Sequence, residues 1–310
     1  MKKIKVTVLY GGISGEHEVS VMSATSVMEN IDKDKFEVLP IKISKKGQFD
    51  LEEFKKADVI FPVLHGIGGE DGSIQGFCEI MKKPYVGCSI ESSVLSLDKI
   101  KSKIIWQNEN LPIPHFFSFM KSEWQKNQKS IINKFQLPVF VKPFNTGSSL
   151  GISKVTKKTE IIPAIKTALK VSDQIIVEES IEDMREVEVG IVGDDKLIVS
   201  NPGEVIASEN FYTFDAKYKG DSKIIIPAKI SEQKINEIKL LAEKAYRSLG
   251  CTGFARVDLF LKNDGKIYLN EINTIPGFTE FSMFPKLMEN SGLNFKSLLT
   301  KIIELGLKSA

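Results

Sequence analysis

Four side chains near the C-terminus have types and spacing that suit phosphoryl chemistry: Arg256, Asp258, Glu271 and Asn273. Residues 256–261 read as a strand, Asp264-Gly265 as a short turn, and residues 267–272 as the returning strand. A two-residue turn sets Asp258 opposite Glu271 and Arg256 opposite Asn273. Alternation then places Asp258, Glu271 and Asn273 on one face. Two facing carboxylates repel in apolar surroundings unless a cation lies between them. Asp, Glu and the Asn carbonyl are hard oxygen ligands that suit Mg²⁺ shared with phosphate, and Arg256 adds a partner for an oxyanion. An exposed hairpin whose acids face water fits the same pattern, and spacing alone leaves both readings open.

A second group supports phosphate. Residues 137–142 (LPVFVK) form a strand candidate that runs into PFNTGSSLGISKV. This is not a P-loop, because Lys142 precedes the glycines and no GKS or GKT follows. Gly147 and Gly151 permit close backbone approach, Ser148 and Ser149 supply hydroxyls, and Lys142 supplies a point charge. The alternative is a polar hairpin tip. Residues 174–179 (QIIVEE) resemble an edge strand whose terminal carboxylates could accept from an adenine amine or a ribose. Glu186 and Glu188 share a face that could simply be wet.

These groups need elements to hold them. Residues 6–10 predict a buried strand that enters GGISGEHEVS, with a helix over 18–29 whose loose apolar face holds Val19, Met22, Val27 and Met28. In that turn Glu16 either favours the helix N-terminus or meets an ammonium group. His17 reads as structural. Strands are expected at 36–43 and 58–64, the second entering HGIGGEDGSIQG, where glycines surround His65, Glu70 and Asp71. Loops after parallel strands are where such domains bind ligands. A helix starts at 74–81 and a short strand lies at 85–87. A helix over 98–110 carries Ile100, Ile104 and Ile105 on an apolar face, with Lys99, Lys101 and Lys103 solvated. Residues 210–221 (NFYTFDAKYKGD) read as a long loop suited to a lid. The helix at 232–249, capped by Gly250, is expected to pack under the 256–272 hairpin. Helices at 284–289 and 295–307 close the chain.

Composition excludes little. The 310 residues are 42% hydrophobic and 26% charged, with a net charge of +2, as in an ordinary soluble globular chain. That charge points to neither a nucleic-acid nor a membrane partner. Cys78, Cys88 and Cys251 lack zinc-site or disulfide spacing, which favours a reducing compartment. The N-terminus lacks a signal-peptide pattern, and no apolar run reaches membrane-spanning length.

Taken together, GGxSxEHxVS, LHGxxGEDG, Lys99, VKPxxxGSSxGxSKV, DAKY, FxRxD and NEINTxPGFT resemble the D-alanine–D-alanine ligase family, of the ATP-grasp fold, across nearly the whole chain. The resemblance implies an α/β, three-domain architecture: an N-terminal open parallel-sheet domain (1–97), then a central (98–182) and a C-terminal (183–310) α+β domain gripping ATP, with a lid near 208–222. It implies an acyl-phosphate route from two D-alanines, ATP and two Mg²⁺, with Mn²⁺ as a substitute, in a cytoplasmic homodimer.

Residue by residue, the resemblance gives Lys99, Lys142 and Ser149 to ATP phosphates. Glu178 and Glu186 bind adenine and ribose, while Glu179 and Ile181 line the base. Lys217 and Arg256 stabilise the transferring phosphoryl group, and Asp258, Glu271 and Asn273 hold metal. Glu16 takes the first ammonium and forms a triad with Ser148 and Tyr218. His65 lies at the same substrate. Gly277 serves the oxyanion, and Ser282 and Met283 bind the second carboxylate. Tyr218 in its AKY context matches dipeptide-forming members, and D-serine stays open as a second substrate.

Overall fold

Three separate sheets carry the chain in a computed structural model that describes residues 2–206 and 223–308. The first sheet is parallel, in the order β2-β1-β3, from β1 (Ile4–Gly11), β2 (Phe36–Ile43) and β3 (Val59–Val63). Val6, Val8, Val59, Phe61 and Val63 are fully buried, as near-continuous apolar strands of a covered parallel sheet must be. Its helices are α1 (His17–Asn30), α2 (Leu51–Lys55), α3 (Ser73–Ile80) and α4 (Ile90–Leu97). The expected strand at 85–87 reduces to one parallel bridge, Ile60 to Tyr85. On α1, Met22 is exposed rather than part of the apolar face.

Helix α5 (Lys99–Asn108) follows, and it corrects the sequence reading. Its buried face is Lys99, Ile100, Ser102, Lys103 and Trp106, while Ile104 faces solvent. Trp106 enters the core of the third sheet. Lys99 and Lys103 are therefore not solvated, although Lys101 is.

The second sheet is antiparallel, in the order β4-β7-β5-β6, from β4 (Phe116–Met120), β5 (Val139–Pro143), β6 (Ser153–Val155) and β7 (Gln174–Glu179). Helices α6 (Lys121–Ile132) and α7 (Ile161–Ala168) accompany it. Val139, Val141, Ile175 and Val177 form its core face with α7. Strand β7 is interior, not an edge. Its acidic end resembles an edge in sequence, but Glu178 is buried and lines the cleft.

The third sheet runs β11-β10-β8-β12-β13, with β9 beside β8. Its strands are β8 (Met184–Val192), β9 (Ile198–Val199), β10 (Gly203–Ile206), β11 (Lys223–Ile225), β12 (Phe254–Lys262) and β13 (Ile267–Asn273). Helix α8 (Glu232–Ser248) covers one face with Ile238, Leu241, Ala242 and Ala245 against Val187, Val257 and Leu259. It forms as the pattern predicted. Ser231 caps its start by accepting from the Lys234 amide, and Gly250, at φ 65°, ends it. Helices α9 (Met283–Asn290) and α10 (Phe295–Gly306) turn back onto the first sheet. There Phe284, Leu298 and Ile302 share a core with Val6, Val8 and Phe61.

Candidate active site

The β12–β13 hairpin pairs Asp258 with Glu271 and Arg256 with Asn273, as the spacing predicted, but by a different route. The turn is not two residues long. Lys262 pairs back to Lys266 across Asn263, Asp264 and Gly265, with Gly265 at φ 86°. A bulge then shifts the register between Asp258 and Leu259 and leaves Asn270 without a partner on β12. Its consequence is chemical. Leu269 and Glu271 would share a face in a regular strand. Here Leu269 is buried in the core, while Glu271 pairs with Asp258 on the opposite, cleft-facing side.

On the other flank, Asp258 pairs with Glu188 of β8. Three carboxylates thus lie in one row across three strands, and cations interleave them. Arg256 forks Asp258 with two 2.7 Å bonds and reaches Glu188 at 2.9 Å. Asn273 Nδ2 donates to Asp258 at 3.0 Å, which leaves its Oδ1 as an acceptor. Lys99 Nζ lies 3.2 Å from Glu271. The Glu186–Glu188 face is not simply wet, since Glu188 is buried. Among the described residues no group of three His, Cys, Asp or Glu is arranged to hold a metal by itself. The donor set of two carboxylates and an amide oxygen fits Mg²⁺, which keeps few protein ligands and completes its shell with phosphate and water.

Across the cleft stands the second sheet. The β5–β6 connection is a hairpin tip, and it also lines the cleft. Ser148 and Ser149 line the cleft at φ 49° and 59°, a left-handed pair that non-glycine residues adopt only at a cost. Lys99 Nζ donates to the Thr146 carbonyl at 2.8 Å and so ties this loop to Glu271. Lys142 Nζ bonds Glu178 at 2.8 Å, with both groups buried. Burial alone would raise the Glu178 carboxyl. The ammonium groups of Lys103 and Lys142 outweigh burial and hold it below the ordinary range. Phe140, Ile181, Met184, Leu259 and Phe260 supply the apolar part of the lining, with Glu179 and Glu186 beside them.

The first domain's loops close the far end. Ser148 Oγ donates to Glu16 across 132 residues. A Cβ on Gly66 would stand 2.8 Å from Glu16 Oε2, so that loop presses on the carboxylate. His17 is structural, holding the Gly12 carbonyl at 2.7 Å through Nδ1. Glu70 accepts from the Gly66 amide at 2.9 Å and the Ile275 amide at 3.3 Å. Desolvation, with the nearby Glu16 charge, pushes Glu70 up to about 8.

His65 contacts the same loop through a chain that fixes its tautomer. Its Nδ1 lies 3.0 Å from the Ile275 carbonyl, so it carries the proton. Nε2 then accepts from Ser23 Oγ at 3.2 Å, and Ser23 Oγ accepts from the Phe278 amide at 3.3 Å. Burial depresses the His65 pKa, which keeps the ring neutral as this chain requires. Ser23 was not singled out from sequence. Its place on α1, one turn after Ser20, carried no signal without the fold.

Gly277 sits inside that clamp. A Cβ there would lie 2.6 Å from Ser282 Oγ, so a larger residue would displace that hydroxyl. Ser282 Oγ in turn accepts from the Thr279 amide at 3.0 Å. The Met283 side chain is buried beside Val205 and Leu287, so any ligand contact there falls to its backbone at the start of α9. Lys217, Tyr218 and the lid segment lie outside the described residues. No helix among the described residues is long and apolar enough to cross a membrane.

Residues 105–304 match the family described as D-ala D-ala ligase C-terminus, and residues 5–57 and 48–88 match D-ala D-ala ligase N-terminus. The chain is 42% identical to a D-alanine–D-alanine ligase of Caldicellulosiruptor bescii, over 99% of this chain and 96% of that protein. Its fold superposes with a TM-score of 0.88 on the VanG D-Ala:D-Ser ligase from Enterococcus faecalis, at 36% identity, covering 98% of this chain and 100% of that one. A D-alanine–D-alanine ligase from Coxiella burnetii gives a TM-score of 0.88 at 28% identity, covering 100% of this chain and 95% of that one. With its cleft between two antiparallel sheets and both family segments in order, the chain belongs to the D-alanine–D-alanine ligase family of the ATP-grasp fold.

Proposed function

We propose that this cleft carries out the family's reaction, ATP-dependent joining of two D-alanines for peptidoglycan synthesis, with the residue roles that follow. The observation that carries the reading is the Ser148–Glu16 hydrogen bond, because it brings the phosphate loop onto the acidic substrate loop of the first domain. The first D-alanine places its ammonium at Glu16, near His65. Its carboxylate oxygen attacks the γ-phosphorus of ATP, the bond to the β,γ-bridging oxygen breaks, and ADP leaves. The second D-alanine's amine attacks the carbonyl carbon of the acyl phosphate, and phosphate departs with the C–O electron pair.

Lys99 and Lys142 neutralise the phosphates, with Ser149 at the loop, and Lys217 and Arg256 would meet the transferring group. Glu178, Glu179, Ile181 and Glu186 hold the adenosine. Asp258, Glu271 and Asn273 would hold two Mg²⁺ or Mn²⁺ ions, which would spread the charge of the transferring phosphoryl oxygens. Gly277 and Arg256 face the tetrahedral oxyanion. Met283, at the start of α9, would present its amide to the second carboxylate, and Ser282 its hydroxyl, since the Ser282 amide is bound to the Thr279 carbonyl. Tyr218 would complete the triad with Glu16 and Ser148, and the segment near 208–222 would act as a lid. The spans 1–97, 98–182 and 183–310 serve as working domains of a cytoplasmic homodimer, which light scattering can check.

Isotope transfer tests the acyl-phosphate route. D-alanine labelled with ¹⁸O in its carboxyl should deliver one ¹⁸O to the phosphate released. Unlabelled phosphate alongside product would overturn the route. D-serine belongs in the same assay as a rival acceptor, because a solved structure 36% identical to this chain is a D-Ala:D-Ser ligase.

A further inference from the structure

Helix α5 carries two buried ammonium groups on adjacent turns, Lys99 lining the cleft and Lys103 in the protein interior behind it. Lys99 joins the Thr146 carbonyl to Glu271. Lys103, four residues on, is 0% exposed. Its Nζ lies 3.5 Å from Glu178 Oε1 and 3.3 Å from the Asn270 carbonyl. Glu178 Oε2 is already taken by Lys142. Asn270 is the bulged residue with no register partner on β12.

We propose that Lys103 is a positioning residue that holds the nucleotide carboxylate Glu178 and the β13 bulge in one arrangement, so that the adenosine site and the metal-facing edge form together. A fully buried lysine is costly unless paired, and an aliphatic side chain would fill the same space at lower cost. What an aliphatic side chain cannot do is donate to Asn270. That carbonyl belongs to the residue whose exclusion turns Glu271 away from the core and toward Asp258. Burial pulls the Lys103 pKa down and Glu178 opposes that pull, consistent with an ammonium held by these two acceptors. Every contact is made by atoms of this chain, so the arrangement is built before any ligand arrives. The inference rests on the nucleotide and metal roles above, and product formation by the wild-type enzyme tests those separately.

Lys103→Met in the full chain is the first test. It leaves Glu178 and Lys142 as a balanced pair, so the fold should survive. ADP affinity is read by calorimetry, and Mn²⁺ affinity of the ADP complex by electron paramagnetic resonance. Both dissociation constants should rise about tenfold or more, the scale of a lost hydrogen bond to a charged group. KM for D-alanine should move less than about twofold on the same scale. A folded variant with both affinities unchanged, or one that loses D-alanine binding equally, would overturn the proposal. Lys103→Gln separates the two contacts and carries the test if the Met variant does not fold. It can still donate to Asn270 but gives Glu178 no charge. ADP affinity should fall while Mn²⁺ affinity stays within about threefold of wild type, and unchanged ADP affinity would contradict the account.

Discussion

Asp258 and Glu271 face one another because Asn270 drops out of the register between them. Without the bulge, Glu271 would follow Leu269 onto the core face, where a carboxylate without a partner is costly. The bulge therefore turns an ordinary apolar hairpin into one with an acidic edge beside Arg256 and Lys99. Asp258→Asn and Glu271→Gln should each lower turnover roughly 100-fold or more, the range expected when a metal ligand for phosphoryl transfer is weakened. Circular dichroism and steady-state rates at saturating Mg²⁺ check this. Near-native rates in a folded variant would contradict the metal role.

The Glu178–Lys142–Lys103 cluster predicts a stability effect. Glu178→Gln leaves two buried ammonium groups facing a neutral amide. Breaking a buried pair in this way typically costs about 3–5 kcal/mol. Denaturant unfolding should show a loss of that order, and ATP affinity should fall with it. A loss under about 1 kcal/mol would mean that solvent already screens the cluster.

Ser23 and His65 predict an acid limb. The His65 pKa is depressed chiefly by burial, so the native protein binds fewer protons than the unfolded chain below about pH 6.5. Stability contributed by neutral His65 is present above that pH and is lost as the pH falls below it. Ser23→Ala leaves the Phe278 amide and His65 Nε2 without their shared partner, at a cost of about 1–3 kcal/mol. The variant should also raise KM for the second D-alanine, because the loop carrying Gly277 loses one anchor. Unchanged KM values would place Ser23 outside the site.

Glu70 predicts the opposite slope. Its pKa of about 8, raised by desolvation and by Glu16, means that the native state holds a proton there which the unfolded state releases near pH 4.5. Stability from this group is present below the lower value and declines as pH rises toward 8. Thermal denaturation of wild type against Glu70→Gln from pH 5 to 8 should show the wild type losing ground as pH rises. A difference that stays constant with pH would contradict this.

Much of the arrangement was legible in the sequence because periodicity reports which face of an element is buried. The α8 helix and the first parallel strands follow from it, whereas the Asp258–Glu271 pairing agrees for another reason: a three-residue loop and the bulge together restore the register that a two-residue turn would set. The errors have physical causes. Lys99 and Lys103 read as solvated because a lysine on an amphipathic helix ordinarily is, and only the fold reveals acidic partners from β7 and β13. Strand β7 read as an edge because its last residues are acidic, although Glu178 is neutralised inside the cleft. The bulge did leave a trace. The core positions Ile267, Leu269 and Ile272 break strict alternation after Leu269. The Ser23–His65–Ile275 chain left none, because its members lie 42 and 210 residues apart.

The most direct test of the account is the product itself. Purified protein, ATP, Mg²⁺ and equal D-alanine and D-serine should yield D-alanyl-D-alanine as the main product by chromatography and mass spectrometry, with one ADP and one phosphate per dipeptide. ADP and phosphate release without dipeptide would contradict the assignment of a ligase, and D-alanyl-D-serine as the main product would contradict the assigned acceptor.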